Sequence, residues 1–352
     1  MSILSSLEGV SSTVFSNIFI HLPQPEGDLT GQTIIVSGSN QGLGLEASRH
    51  LLRLGVKQLI MAVRDLNKGE TARQELLQST GREDSSIEVW KLDMDQYTSV
   101  KDFAARAETL PRLDALLANA GLATNDFGLS EENERTITVN VVSAFLLIAL
   151  LIPKLRESAV KFNIVPRVSI PNSALHYIAP LGELQSEKGG IFDSLNNRET
   201  ANMTARYPLS KLLVLFGVRG LATRLTQNEG PLVVINTPNP SFCKSQLLRE
   251  TDNVGLRVGE RLLARSTEEG SRALVHGILA DEKSHGQYLT NCQVHRFVVT
   301  YFGSSSEMCQ LTMLYSPSCV VTDRKGVMIQ KAFFTELVTK LEQIVPGVTS
   351  KL

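Results

Sequence analysis

From about residue 28 onward, short apolar runs alternate with amphipathic stretches. Thr33–Ser37 (TIIVS) is apolar and β-branched, which predicts a buried strand. A helical stretch at 45–54 and a strand at Gln58–Val63 (QLIMAV) follow. The same reading predicts a helix at 66–78, a strand at 87–92, a helix at 99–109 and a strand at 113–118. A long apolar helix runs from about 134 to 155, then a strand at 167–171, a helix at 209–225 and a strand at 232–236. This rhythm predicts an α/β fold, a doubly wound parallel sheet with helices on both faces, as one domain over about 28–350. Residues 1–27 stand apart. Ile3, Leu7, Val10, Val14 and Ile18 recur at helical spacing, and 21–27 (HLPQPEG) reads as a linker.

Composition narrows the classes. The 352 residues are 42% hydrophobic and 20% charged, enough apolar material for a large core and too much for a disordered chain. The formal net charge of -1 predicts neither a nucleic-acid partner nor an anionic membrane surface. The N-terminus lacks a basic segment followed by a long apolar run, so neither a signal peptide nor a transmembrane segment is expected. Four cysteines (Cys243, Cys292, Cys309, Cys319) without a CxxC pair make neither a disulfide framework nor a zinc site, and HExxH is absent. The expectation is a reducing, cytoplasmic setting and no metal.

The chemistry begins between the first strand and the first helix. There SGSNQGLG places Gly38, Ser39, Gln41, Gly42, Leu43 and Gly44 where bare backbone and a helix N-terminus can take a pyrophosphate. Cofactor choice is read at the end of the second strand. An acidic residue there favours NAD, and arginine suits the 2′-phosphate of NADP. The position holds Arg64, with Lys68 one helical turn on and Asp65 placed to cap the next helix, which favours NADP(H). Further along, YPLSK (207–211) sets Tyr207 and Lys211 at i and i+4 on one helix face. A nearby ammonium favours the phenolate and lowers a tyrosine pKa, making it a usable acid or base.

Taken in order, SGSNQGLG, ANAG (118–121) and YPLSK resemble the short-chain dehydrogenase/reductase family. The runs VRDLNKGE, TVNVVSAFLL, HGQYL and VPGV look most like a fungal branch related to retinol dehydrogenases and the WW-domain oxidoreductase. The resemblance implies a Rossmann-type fold, with Tyr207 as proton donor and Lys211 lowering its pKa and holding the nicotinamide ribose. It implies Ser173 as the residue polarising the substrate carbonyl, with Ser169 a rival, and Asn140 holding a water that links Lys211 to solvent. Asn119 would shape the adenosine wall, Asp93 would contact the adenine, and Ser245 stands where a threonine touches the carboxamide and pyrophosphate. His176 is a candidate for the substrate entrance, and Cys243 reads as a packing thiol.

Several positions depart from the family pattern. Asn172 replaces a serine, and Ser241 replaces a glycine; a side chain at Ser241 predicts strain or crowding near the nicotinamide. Residues 180–204 lengthen the gap before Tyr207 and predict a substrate flap, with Gly189 and Gly190 as hinge or turn. Residues 297–316 form an atypical insertion that reads as a substrate loop or a translated intron. The expected function is NADP(H)-dependent reduction of a ketone on a hydrophobic small molecule, a fungal secondary-metabolite intermediate, to an alcohol. The alternative is a redox-silent member that uses the pocket for binding, dehydration or isomerisation. The apolar stretch 141–152 suits either homodimer pairing or burial within one chain.

Overall fold

The computed structural model describes residues 16–185, 189–244, 264–295, 321 and 323–352. The strands of the main sheet among the described residues are β1 (Thr33–Ser37), β2 (Gln58–Val63), β3 (Ile87–Lys91), β4 (Ala115–Leu117), β5 (Arg167–Ser169), β6 (Val234–Asn239), β7 (Tyr288–Thr290) and β8 (Gln293–His295). They form one sheet in the order β8-β7-β6-β5-β4-β1-β2-β3. The pairs from β3 across to β7 are parallel, and only β8 runs antiparallel, against β7. The order reverses direction at β1 and β4, the switch point at which open α/β sheets bind ligands.

The longer helices among the described residues are α1 (Gly42–Arg53), α2 (Leu66–Thr80), α3 (Tyr97–Glu108), α4 (Ser143–Phe162), α5 (Met203–Gln227), α6 (Thr267–Leu279) and α7 (Arg324–Ile344). Alternate strand residues supply two cores, one on each face. Ile34, Val36, Leu59 and Met61 pack with Leu51 of α1, Leu76 of α2 and Leu274 of α6. Ile35, Ile60 and Leu116 pack with Phe103 of α3, Leu147 of α4 and Leu213 of α5, with Phe333 of α7 outside them. Each fully buried aliphatic side chain contributes about 1.5–3 kcal/mol relative to exposure. Local signals close the helices. Asp65 caps α2 by accepting from the N–H groups of Asn67 and Lys68, and Gly81 ends it at φ 66.

The structure departs from the expected elements in four places. The long helix is interrupted by a π turn at Thr138–Val142, where Ser143 N–H reaches back to Thr138 O. The helix expected from 209 starts at Met203 and carries Pro208 inside it. Pro208 lacks an N–H, and the carbonyl it leaves unbonded belongs to Thr204, which lies exposed to water. The strands β7 and β8 were not anticipated, since three residues beside Gly286 carry too little periodicity to read. The supposed linker is docked: Leu22 is 1% exposed, its N–H donates to Glu269 Oε1, and its carbonyl accepts from Arg272 Nη1. One segment, Arg135–Phe162, is long and apolar enough to cross a membrane, and 89% of its most apolar window is buried inside the fold. The stretch 141–152 is thus used within the chain. The insertion 297–316 and Ser245 lie outside the described residues.

Candidate active site

The site lies along the carboxyl ends of β1, β4, β5 and β6. At β1 the chain turns through Gly38 and Gly42, both in the left-handed region at φ 66 and 61. A side-chain carbon at Gly42 would meet nothing within 4 Å. At Gly44 a side-chain carbon would collide with Gly38 O, and it would lie 2.5 Å from Asn119 Nδ2. The turn is therefore open on one side and fully packed on the other. Asn119 fixes the packed side by donating to Ser37 O (3.0 Å) and Gly38 O (3.2 Å). The first turn of α1 carries no acidic side chain, and Gln41 gives its N-terminus no side-chain cap. Those N–H groups and the helix dipole suit an anion. Ser39 Oγ is buried without a hydrogen-bond partner, a polar atom that a ligand phosphate would satisfy.

At the end of β2, Arg64 and Lys68 are 65% and 73% exposed at the side chain. Arg64 approaches Asp95 at 3.5 Å, but Asp95 is already held by the fork of Arg135 at 2.9 and 2.7 Å. The Arg64 guanidinium thus remains available to a phosphate. Asp93, at the end of β3, accepts from Asp95 N–H at 3.2 Å, and its own N–H donates to Ser99 Oγ.

The catalytic candidates come from β5 and α5. Tyr207 lies beside Ser173; burial pushes its pKa up to about 12, and the Ser173 side chain works against that rise. Lys211 Nζ donates to Pro171 O at 2.8 Å and lies 5.7 Å from the Tyr207 ring centre. Burial pushes its pKa down to about 8. Ser169, the rival serine, is fully buried against Gly277 of α6. Both amide atoms of the Asn140 side chain are engaged with protein. Its Oδ1 accepts from Leu122 N–H at 2.9 Å, and its Nδ2 donates to Leu122 O (2.9 Å) and Ser210 Oγ (3.0 Å). Asn140 thereby ties the segment after β4 to the residue preceding Lys211.

The departure at Asn172 turns out to be supportive. Its Oδ1 accepts from Ser173 N–H at 2.8 Å, and its Nδ2 donates to Thr237 Oγ1 (3.2 Å) and Lys211 O (3.3 Å). One buried amide therefore links β5, β6 and α5 around the Ser173–Tyr207 pair. His176 does not line the entrance. It is 1% exposed, bonds Ser173 O through Nδ1 at 2.7 Å, and packs between Tyr177 and Tyr288. Burial holds it neutral, down at about 4. The turn that follows Ser173 instead exposes Leu175 and Ile178, at 38% and 37%.

Arg206 was missed in the sequence, where it reads as one more surface charge. It is fully buried, 2.7 Å from Glu183 and 3.6 Å from Glu134. It fastens the 180–204 segment to the helix that carries Tyr207. The glycine pair in that segment is a turn pinned to α7: Glu336 accepts from Ile191 N–H (2.9 Å) and Phe192 N–H (3.2 Å). Cys243 is buried, donates to Pro240 O at 3.1 Å, and has its pKa pushed up to about 12, which suits a packing thiol.

Comparisons with known proteins agree with this geometry. The family model described as short chain dehydrogenase matches residues 32–170. The short chain dehydrogenase/reductase dmxR8 of Cryptosporiopsis sp. is 41% identical over 340 residues, 96% of this chain and 98% of the relative. The short chain dehydrogenase atnD of Emericella nidulans is 44% identical over 284 residues, 79% of this chain and 90% of the relative. Among solved structures, an uncharacterised protein from Mycobacterium paratuberculosis superposes with a TM-score of 0.60 at 24% identity, covering 90% of this chain and 94% of that one. A short-chain dehydrogenase from Sphingobium yanoikuyae in complex with NADPH superposes with a TM-score of 0.52 at 20% identity, covering 70% and 84%.

Proposed function

The chain belongs to the short-chain dehydrogenase/reductase family, and we propose that within it the protein is an NADP(H)-dependent reductase of a ketone on a hydrophobic small molecule, a fungal secondary-metabolite intermediate. The observation that carries this reading is the convergence of Tyr207 and Lys211 on one helix face beside Ser173, with the ammonium 5.7 Å from the tyrosine ring centre. The residues suited to hold the nucleotide are the 38–44 turn at its phosphates, Arg64 and Lys68 at a 2′-phosphate, and Asp93 and Asn119 along the adenosine. Bound NADPH supplies a hydride. The protein supplies the proton: a carbonyl oxygen held by the Ser173 and Tyr207 hydroxyls takes it from Tyr207 as negative charge develops. Lys211, on the same helix face, stabilises the phenolate left behind. Leu175 and Ile178 beside Ser173 favour an apolar substrate body.

Titration with NADPH and NADH, read by nicotinamide fluorescence, tests the cofactor assignment. Arg64→Ala should weaken NADPH roughly 10-fold or more, the loss of a charge-assisted bond, and leave NADH unchanged. Equal weakening of both nucleotides, or of neither, would remove Arg64 as the phosphate reader.

A further inference from the structure

The loop that leaves β6 contains a strained residue that the proposed chemistry does not use. Ser241 adopts φ 67, a left-handed conformation that glycine takes freely and an L side chain resists. Its N–H donates to Asn239 Oδ1 at 2.9 Å, and its hydroxyl donates to Asn17 Oδ1 at 2.6 Å. Asn17 Nδ2 donates in turn to Phe242 O at 2.7 Å. A single amide, 224 positions away in sequence, thus grips the loop on both sides of the Ser241–Phe242 peptide.

The grip is itself anchored. Arg265, 4% exposed, donates through Nη2 to Ser16 O and Ile20 O, both at 2.8 Å. Its backbone pairs with the same loop, Arg265 N–H to Phe242 O at 2.9 Å and Lys244 N–H to Arg265 O at 3.0 Å. The loop sits between the two halves of the site. On one side, Cys243 and the glycine-turn residue Leu43 both press on Gly270, where a side-chain carbon would collide with the Cys243 thiol and lie 3.1 Å from Leu43. On the other, the loop continues directly from β6, whose Pro238 O accepts from Asn172 N–H at 2.8 Å, next to Ser173. An N-terminal residue therefore holds the shape of a loop that bridges the nucleotide turn and the catalytic turn.

We propose that Asn17 is a positioning residue for the nicotinamide nucleotide. It holds Ser241 in the left-handed conformation and so keeps the 240–244 loop in its receptive shape before the cofactor arrives. This rests on the nucleotide-binding reading above. It also makes residues 16–22 part of the cofactor site, where they would otherwise be a lead-in to the fold.

The test uses the full chain with Asn17→Ala, Ser241→Gly and the double variant. Two readouts are taken: amide hydrogen exchange of residues 241–244 without nucleotide, and the NADPH dissociation constant. Asn17→Ala is expected to speed exchange in the loop and weaken NADPH about tenfold, because the serine relaxes out of its strained basin. Adding Ser241→Gly is expected to return the affinity to within about threefold of wild type, because glycine holds that φ unaided. Unchanged exchange and affinity in Asn17→Ala would overturn the proposal. So would weakened binding that Ser241→Gly fails to rescue, which is the pattern of a general folding defect. A wild type that binds neither nucleotide would sink the nucleotide reading instead, and the exchange comparison would still decide whether Asn17 holds the loop.

Discussion

Replacing Lys211 by methionine should make the cofactor-free protein more stable at neutral pH while it damages the site. The ammonium sits half-buried with Pro171 O as its acceptor, and burial moves its pKa from 10.5 to about 8. At about 1.4 kcal/mol per pH unit, this sets an upper bound of about 3 kcal/mol on the penalty of carrying the charge at pH 7. Partial solvent screening and the lost bond to Pro171, about 1 kcal/mol, reduce the net gain of Lys211→Met to about 1–2 kcal/mol. The folded-state value lies below the unfolded one, so the penalty is full below about 8 and fades as pH rises toward 10.5. Urea denaturation of both proteins, followed by circular dichroism near pH 7 and again near pH 10, checks this. The variant should unfold at higher urea near pH 7, with the gap closing at the higher pH. A Lys211→Met protein less stable than wild type near pH 7, or a gap that does not move with pH, would refute the reasoning. A charge kept against its own solvation is what a stability–activity trade-off looks like at one residue.

Other predictions follow from single contacts. Gly44→Ala should abolish nucleotide binding in titration and lower thermal stability, because its side-chain carbon would collide with backbone at Gly38 O, which cannot move aside cheaply. Arg206→Met should lower stability by about 3–5 kcal/mol in denaturant titration, because Glu134 and Glu183 would lose their buried partner. The double change Arg206→Met with Glu183→Gln should recover part of that loss, and no recovery would mean that Arg206 acts through packing alone.

Much of the fold could be read from the chain, because a parallel sheet covered on both faces needs apolar runs such as Thr33–Ser37 and Gln58–Val63, whose observed bounds match the pattern. The glycine turn and the Tyr207–Lys211 spacing were equally legible, since their chemistry depends on local geometry. What escaped was non-local. Asn172 looks like a defect beside Ser173 until its amide is seen to reach both Lys211 and Thr237. Arg206 looks like a surface charge until the fold brings Glu134 and Glu183 to it. His176 was given a role at the substrate entrance, yet packing and hydrogen bonding turn it inward. The π turn at Thr138–Val142 and the three-residue β7 lie below the length at which periodicity carries a signal.

Tyr207 is proposed to donate the proton in an NADPH-dependent carbonyl reduction. The most direct measurement follows NADPH absorbance with a panel of hydrophobic ketones, for wild type and Tyr207→Phe, with NADPH affinity measured alongside. The account predicts turnover by the wild type and a loss of about 10²–10⁴-fold in Tyr207→Phe, with nucleotide binding largely retained. Comparable turnover in Tyr207→Phe, or a wild type that binds NADPH and reduces none of the panel, would contradict it.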